Sequence, residues 1–216
     1  MPKGSRDIHF WLIVFIYFYG MKKNTLLIIF CGCLIGSNCK HKEKTGAGEA
    51  GIIPVLPYIK SQLAMIDTSL YSIKKIEVYD TLPPDTLDIP REQVRLLAQS
   101  FTDLPDISLK KFAGDFTQIK NYYEDLNRIS FVITPVKPSA AGIQKQEIII
   151  LPDSEGGKMN KIIIDQDRTN RDSSVKKNLI WQAGEYFQVT TIRQLPGQPE
   201  KVHTLKVTWT DFTRPE

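Results

Sequence analysis

Ile129-Ser130-Phe131-Val132-Ile133-Thr134 begins the half of the chain that decides the fold. Ile129, Phe131 and Ile133 alternate with Ser130, Val132 and Thr134, the period of two expected of a strand with one buried face. Strand-like runs recur at residues 144–151, 159–165, 175–182, 186–193 and 201–209. Turn chemistry separates them: Pro152-Asp153-Ser154-Glu155-Gly156-Gly157, then Ala183-Gly184, then Leu195-Pro196-Gly197-Gln198-Pro199. Breaks this short join antiparallel hairpins and leave no room for the crossover helices of a parallel sheet. The C-terminal half therefore predicts an antiparallel β-meander of about six strands.

Upstream the period changes. Leu56, Ile59, Leu63, Ile66 and Leu70 recur at helical spacing on one face. Pro54 and Pro57 are tolerated at the start of that helix, where N–H groups lack partners anyway. Residues 70–79 turn strand-like, with Ile76 and Val78 on one side. Thr81-Leu82-Pro83-Pro84-Asp85-Thr86 reads as a loop, because consecutive prolines exclude both helix and central strand. A second helix is expected after Asp88 and Pro90, burying Val94, Leu97, Ala98 and Phe101 and ending within residues 103–106.

Residues 108–126 fit two readings. Phe112, Phe116, Ile119, Tyr123 and Leu126 align on a helix, whereas Asp125-Leu126-Asn127 suits a turn between two strands. The strand is preferred for the second half. Residues 52–216 thus form a single α+β domain, with N-terminal helices packed on a C-terminal antiparallel meander. A domain of about 160 residues buries about 70% of its unfolded surface.

Ahead of this domain, residues 39–51 are polar and Gly/Ala-rich, a flexible tether reaching roughly 20 Å. Before the tether stand Met21-Lys22-Lys23, an apolar core at residues 26–35, and Cys39 preceding Lys40-His41-Lys42-Glu43-Lys44. A positive start, a short apolar core and small residues are the physical parts of an export signal. With a cysteine at its end, the segment 21–38 resembles the signal peptide of a Gram-negative lipoprotein, cut before a lipid-modified cysteine. That resemblance implies a palmitate-type acylated Cys39, a membrane anchor, and an outer-membrane lipoprotein facing the periplasm. Gly36, Ser37 and Asn38 depart from the usual box of one large apolar and two small residues. Cys33, preceded by Phe30, Cys31 and Gly32, is a rival, but it shrinks the apolar core to residues 26–30, below the roughly 7 expected. Cys39 is therefore the expected lipidation site.

Residues 1–20 carry a second apolar run, 10–19, shorter than the roughly 20 residues that span a bilayer. The simplest account is a start placed too early, with Met21 the true first residue; the alternative is an additional anchor.

The formal charge of +4 comes mostly from Lys3, Arg6, Lys22 and Lys23, set against Asp7 alone. The domain itself is near neutral and shows no basic stripe interleaved with aromatics, so no nucleic-acid partner is expected. Lys40, Lys42 and Lys44 suit an anionic headgroup or an ordinary solvated linker. Cys31, Cys33 and Cys39 are the only cysteines, which leaves the domain without a disulfide, a thiolate metal site or a cysteine nucleophile.

Motifs for chemistry are equally sparse. The acidic run Asp165-Gln166-Asp167-Arg168-Thr169-Asn170-Arg171-Asp172 lacks the glycine of a calcium loop, and Lys176 stands where the bidentate glutamate belongs. It reads as a solvated hairpin loop. His203 is the one histidine of the domain, so no histidine metal cluster can form, and no nucleophile elbow accompanies it. No catalytic residue, metal site or cofactor is expected. Tyr122, Tyr123, Phe131, Trp181, Tyr186, Phe187 and Trp209 read as core, with an apolar pocket as the alternative. In architecture alone, the domain resembles periplasmic lipoprotein carriers. The leading expectation is a non-enzymatic, membrane-anchored binding or assembly module for an envelope protein or glycan. A carrier or sensor of an apolar ligand comes second, and a hydrolase third.

Overall fold

The computed structural model describes residues 51–138, 142–153 and 157–210. The upstream run 1–20, the signal-like segment 21–38, Cys39 and all of the tether except Gly51 lie outside them. The described residues are mostly β, a nine-stranded antiparallel sheet with few helices, rather than the expected α+β domain of N-terminal helices on a six-stranded meander.

The strands are β1 (Ser72–Tyr79), β2 (Asp85–Asp88), β3 (Phe116–Tyr123), β4 (Arg128–Pro135), β5 (Ile143–Leu151), β6 (Lys158–Asp167), β7 (Ser174–Gln182), β8 (Tyr186–Gln194) and β9 (Lys201–Thr210). Their spatial order is β2-β1-β9-β8-β7-β6-β5-β4-β3. The six expected strands are β4 to β9, in one meander. Three more extend it. β3 adds to β4 across the Asn127 turn, where the left-handed backbone (φ 41°) suits asparagine. β1 pairs with the last strand, β9, over its full length. β2 was expected as loop, but the prolines stop at Pro84 and leave Asp85–Asp88 free to pair with β1. This edge strand is short and acidic, both of which discourage further pairing.

Two bulges set the phase of the central strands. Between Ile143 and Lys145 the extra residue Gln144 lets Ile143 and Gln146 both face the core. Between Ile149 and Ile150 the bulge falls on β6 at Asn160, which accepts the Ala183 N–H and the Gln182 side-chain amide instead. At Gly142 (φ +70°) an added Cβ would lie 2.6 Å from the Asp167 carbonyl oxygen, so the entry to β5 requires glycine.

One face of the sheet is covered. Helix α1 (Leu56–Thr68) buries Ile59, Leu63 and Ile66 against it. Leu70 does not join that stripe: Ser69 binds the Ile66 carbonyl through its N–H and its hydroxyl, the helix stops, and Leu70 is 88% exposed. The expected second helix is three short pieces, a 3-10 turn (Arg91–Gln93), α2 (Val94–Leu97) and α3 (Gln99–Thr102). Val94, Ala98 and Phe101 are buried and Leu97 is half-buried. Arg95 donates to Asp67 and Arg91 to the Ser69 carbonyl, tying these turns to α1.

Beneath them lies an aromatic cluster. The Phe101 ring stands edge-on to Trp181 at 5.3 Å and to Phe187 at 5.8 Å, while Trp181 stacks on Phe187 at 5.3 Å and Trp209 flanks both. Trp181, Phe187 and Trp209 are core, as expected, whereas Tyr122 and Tyr123 are exposed on edge strand β3. Replacing Trp181 by alanine empties the centre of this cluster and is expected to cost about 3–5 kcal/mol in urea denaturation. Trp181→Phe, which keeps a ring there, is expected to cost clearly less.

On the opposite face Glu147 accepts from Ser130 Oγ (2.9 Å) and pairs with Lys145 (2.9 Å). Burial pushes the Glu147 carboxyl up, but Lys145 and Ser130 outweigh it and hold the group below its ordinary value of 4.5. Its contribution is therefore fully present above pH 4.5 and is lost as pH falls through the depressed value. Melting temperature is expected to be insensitive to this group above pH 5 and to fall below about pH 4.5, with a smaller acid loss in Glu147→Gln.

Candidate functional site

The covered face is apolar over only part of its length. Cross-strand register sorts its residues into rows. One row runs Ile148, Ile162, Trp181, Phe187, Val207 and Lys75 across β5, β6, β7, β8, β9 and β1. The next runs Gln146, Ile164, Leu179, Val189, Leu205 and Glu77. Beyond it the chemistry changes to Gln166, Lys177, Thr191, His203 and Tyr79, and then to Val175, Arg193 and Lys201.

These last rows line an open cleft of about 410 Å³, bounded by Tyr79, Asp80, Lys177, Thr191, Arg193, Lys201, Val202 and His203. The cleft is cationic. Arg193 directly opposes Lys201, and Lys177 opposes Thr191, two residues before Arg193 on the same face. Directly opposed Cβ atoms lie about 4.5–5.5 Å apart and diagonal ones somewhat farther, so these charges repel. None of the ion pairs among the described residues includes Lys177, Arg193 or Lys201.

Lys177 marks the boundary with the helices, donating to Ser100 Oγ of α3 at 3.2 Å. Burial pushes its ammonium below the ordinary lysine range, Arg168 and Arg193 add to that shift, and Asp103 opposes it. Two acids stand at the rim. Asp80, at φ 48°, accepts the Val202 N–H at 2.7 Å and donates its own N–H to the Val202 carbonyl at 2.8 Å. Glu77 accepts from Lys75 at 2.8 Å, which holds its carboxyl below the ordinary range.

His203 is half-buried, in keeping with its reading as a strand residue. Its ring stacks on Tyr79 (centroids 4.3 Å apart, planes 15° apart), and its Nε2 lies 3.4 Å from Glu77 Oε1. No hydrogen bond joins His203 to Thr191 among the described residues, so the Glu77–His203 pair is not connected to a hydroxyl nucleophile. The acidic run is folded in on itself: Asp165 accepts from Asn178 (2.7 Å), and Asn170 accepts the Asp172 and Ser173 N–H groups. Among the described residues no group of three His, Cys, Asp or Glu side chains is placed to hold a metal, and no helix is long and apolar enough to cross a membrane.

The sequence reading missed this cleft because it sought charge as a linear stripe. The signal was one of parity. Lys177 shares its phase with Leu179 and Trp181, Arg193 with Val189 and Phe187, and Lys201 with Leu205, Val207 and Trp209. Each strand thus carries a charge at one end of its inward set.

No family model matches the chain, and no curated protein or solved structure does so either.

A half-buried lysine held among like charges destabilises the fold. Lys177→Met keeps the stem and removes the charge. It is expected to be about 1 kcal/mol more stable, a rise of roughly 2–4 °C in melting temperature, with a smaller difference in high salt.

Proposed function

We propose that this protein is a lipid-anchored envelope component, held through an acylated Cys39, that acts as a non-enzymatic binding module. Its nine-stranded sheet serves as scaffold, with the helices packed over one part of one face and the cationic cleft left open on the other part. The cleft is the binding site, and its partner is an envelope protein or glycan presenting negative charge. The observation that carries this reading is the cluster of Lys177, Arg193 and Lys201, three cations without ion-pair partners among the described residues, on the inward face of adjacent strands. A fold retains such repulsion at a cost, and an anionic partner would relieve it.

The filled core supports this reading over an apolar carrier. Trp181 and Phe187 are wholly buried, and the hollow between α1, Phe101 and Ile164 has room for about 10 Å³, which is one water rather than an acyl chain.

Three measurements test the proposal. Mass spectrometry of the mature N-terminus is expected to find an acylated peptide beginning at Cys39; a mature chain starting at Cys33, or an unmodified one, sinks the anchor assignment. Chemical cross-linking in intact envelopes is expected to yield a neighbour that is lost when Lys177, Arg193 and Lys201 are all replaced by glutamine. A neighbour retained by that variant places binding elsewhere. Protease added to whole cells is expected to spare the domain, as it would if it faced the periplasm.

A further inference from the structure

We propose that the cleft formed by Lys177, Thr191, Arg193, Lys201 and the Tyr79–His203 pair recognises a phosphate ester. This deepens the binding-module reading above and rests on it. The first argument is charge number. Arg193 and Lys201 stand directly opposite each other and Lys177 lies one diagonal away, so three cations border one space against the single carboxylate of Asp80. A phosphomonoester carries up to two negative charges and three acceptor oxygens, enough to accept from three separate donors. A lone carboxylate has one charge and two coplanar oxygens, and it would leave at least one of these cations unmatched.

The second argument is donor type. Arg193 supplies a planar fork suited to two oxygens of one phosphate, while Lys177 and Lys201 act as point charges and the Thr191 hydroxyl, at the centre of the row, adds a neutral donor. Lys177 is pinned by Ser100, so one of the cations is already ordered before anything binds. Of the acids nearby, Glu77 is paired with Lys75, Asp103 acts on Lys177 from the helix side, and Asp80, which accepts the Val202 N–H, leaves one carboxylate at the rim against the three cations.

The third argument is size. At about 410 Å³ the cleft is several times larger than a phosphate group and falls within the range of small-molecule sites, roughly 300–1,000 Å³. The ligand therefore carries a body beyond the phosphate. The Tyr79 and His203 rings, stacked 4.3 Å apart at the opposite end of the row from Lys177, form the wall against which that body lies.

The same phosphate chemistry is offered by a free monoester and by the phosphodiester of a lipid headgroup. Titration calorimetry on the full-length chain in non-ionic detergent separates the two, with glycerol 3-phosphate as monoester, glycerophosphoglycerol as diester and glucuronate as the carboxylate control. Glycerol 3-phosphate is expected to bind, glucuronate at least about tenfold more weakly, and Arg193→Gln or Lys201→Gln to lose about tenfold each for the ester, as expected when a charged donor is removed. Tighter binding of glycerophosphoglycerol also supports the proposal and assigns the phosphate to a lipid headgroup. Glucuronate binding as tightly as either ester overturns the phosphate assignment while leaving the cleft an anion site. No binding of any of the three overturns the phosphate assignment, and if in addition neither variant melts higher than the parent chain the cations do not repel one another and the cationic-cleft reading falls with it.

Discussion

The contact between Phe101 and the Trp181–Phe187–Trp209 cluster is what the rest of the fold depends on. Helix α1 carries only three buried residues, and the turns of residues 91–102 are too short to persist as isolated helices. They hold their shape because Phe101 meets Trp181 and Phe187 edge-to-face on two neighbouring strands, with Trp209 of the next strand flanking both. The cluster also fixes register. Trp181 and Phe187 are directly opposed across the Ala183–Gly184 turn, and Val207 follows on β9. A slip of one residue in any of these strands would turn large rings out to solvent, so the pairing is strongly specified.

That same register determines where charge must collect. On each of β7, β8 and β9 the inward-facing positions outnumber those that the helices cover. Beyond the row of Leu179, Val189 and Leu205, apolar residues would be exposed without any cover, and the chain places Lys177, Arg193 and Lys201 there. Polar residues alone would satisfy the solvent requirement, as Thr191 and Gln166 do. Three like charges in adjacent positions exceed what solubility asks for. On β1 the same face solves the problem differently, by pairing Lys75 with Glu77. The contrast between a compensated edge and an uncompensated centre is what singles out the cleft.

Much of the sheet was legible in the sequence because its strands have the two properties that survive without tertiary information, alternation and turn residues at their ends. β4 to β9 fall within one or two residues of their expected bounds for that reason. β2 was not legible: Asp85-Thr86-Leu87-Asp88 has neither alternation nor β-branched density, and only its partner β1 makes it a strand. The pairing of β1 with β9 joins residues more than a hundred positions apart, and no local pattern encodes such a neighbour. Leu70 was misplaced because helical spacing continues in the sequence after Ser69 has ended the helix. The cleft was legible in principle, since parity and the Ala183–Gly184 hairpin place Lys177 and Arg193 on one face of neighbouring strands. Recognising it required following the inward phase past the point where the residues cease to be apolar.

The two sheet edges bear on how this fold avoids pairing with further strands. β2 is four residues long, with an aspartate at each end, and ends the sheet on that side. β3 is eight residues long and exposes Ile119 and Tyr122, so it is the edge where another strand could add. Lys120 stands in the middle of it, on the same face as Tyr122, with its ammonium 5.9 Å from the Phe131 ring centroid. An incoming strand would have to desolvate that ammonium or displace it from the ring, a device that blunts edge pairing without shortening the strand. With both edges guarded and the core filled, the open cationic end of the covered face is the surface on which the described residues concentrate unmatched chemistry. On the proposed reading, recognition is electrostatic at its centre, and affinity for an anionic partner should fall as counter-ions compete for the same cations.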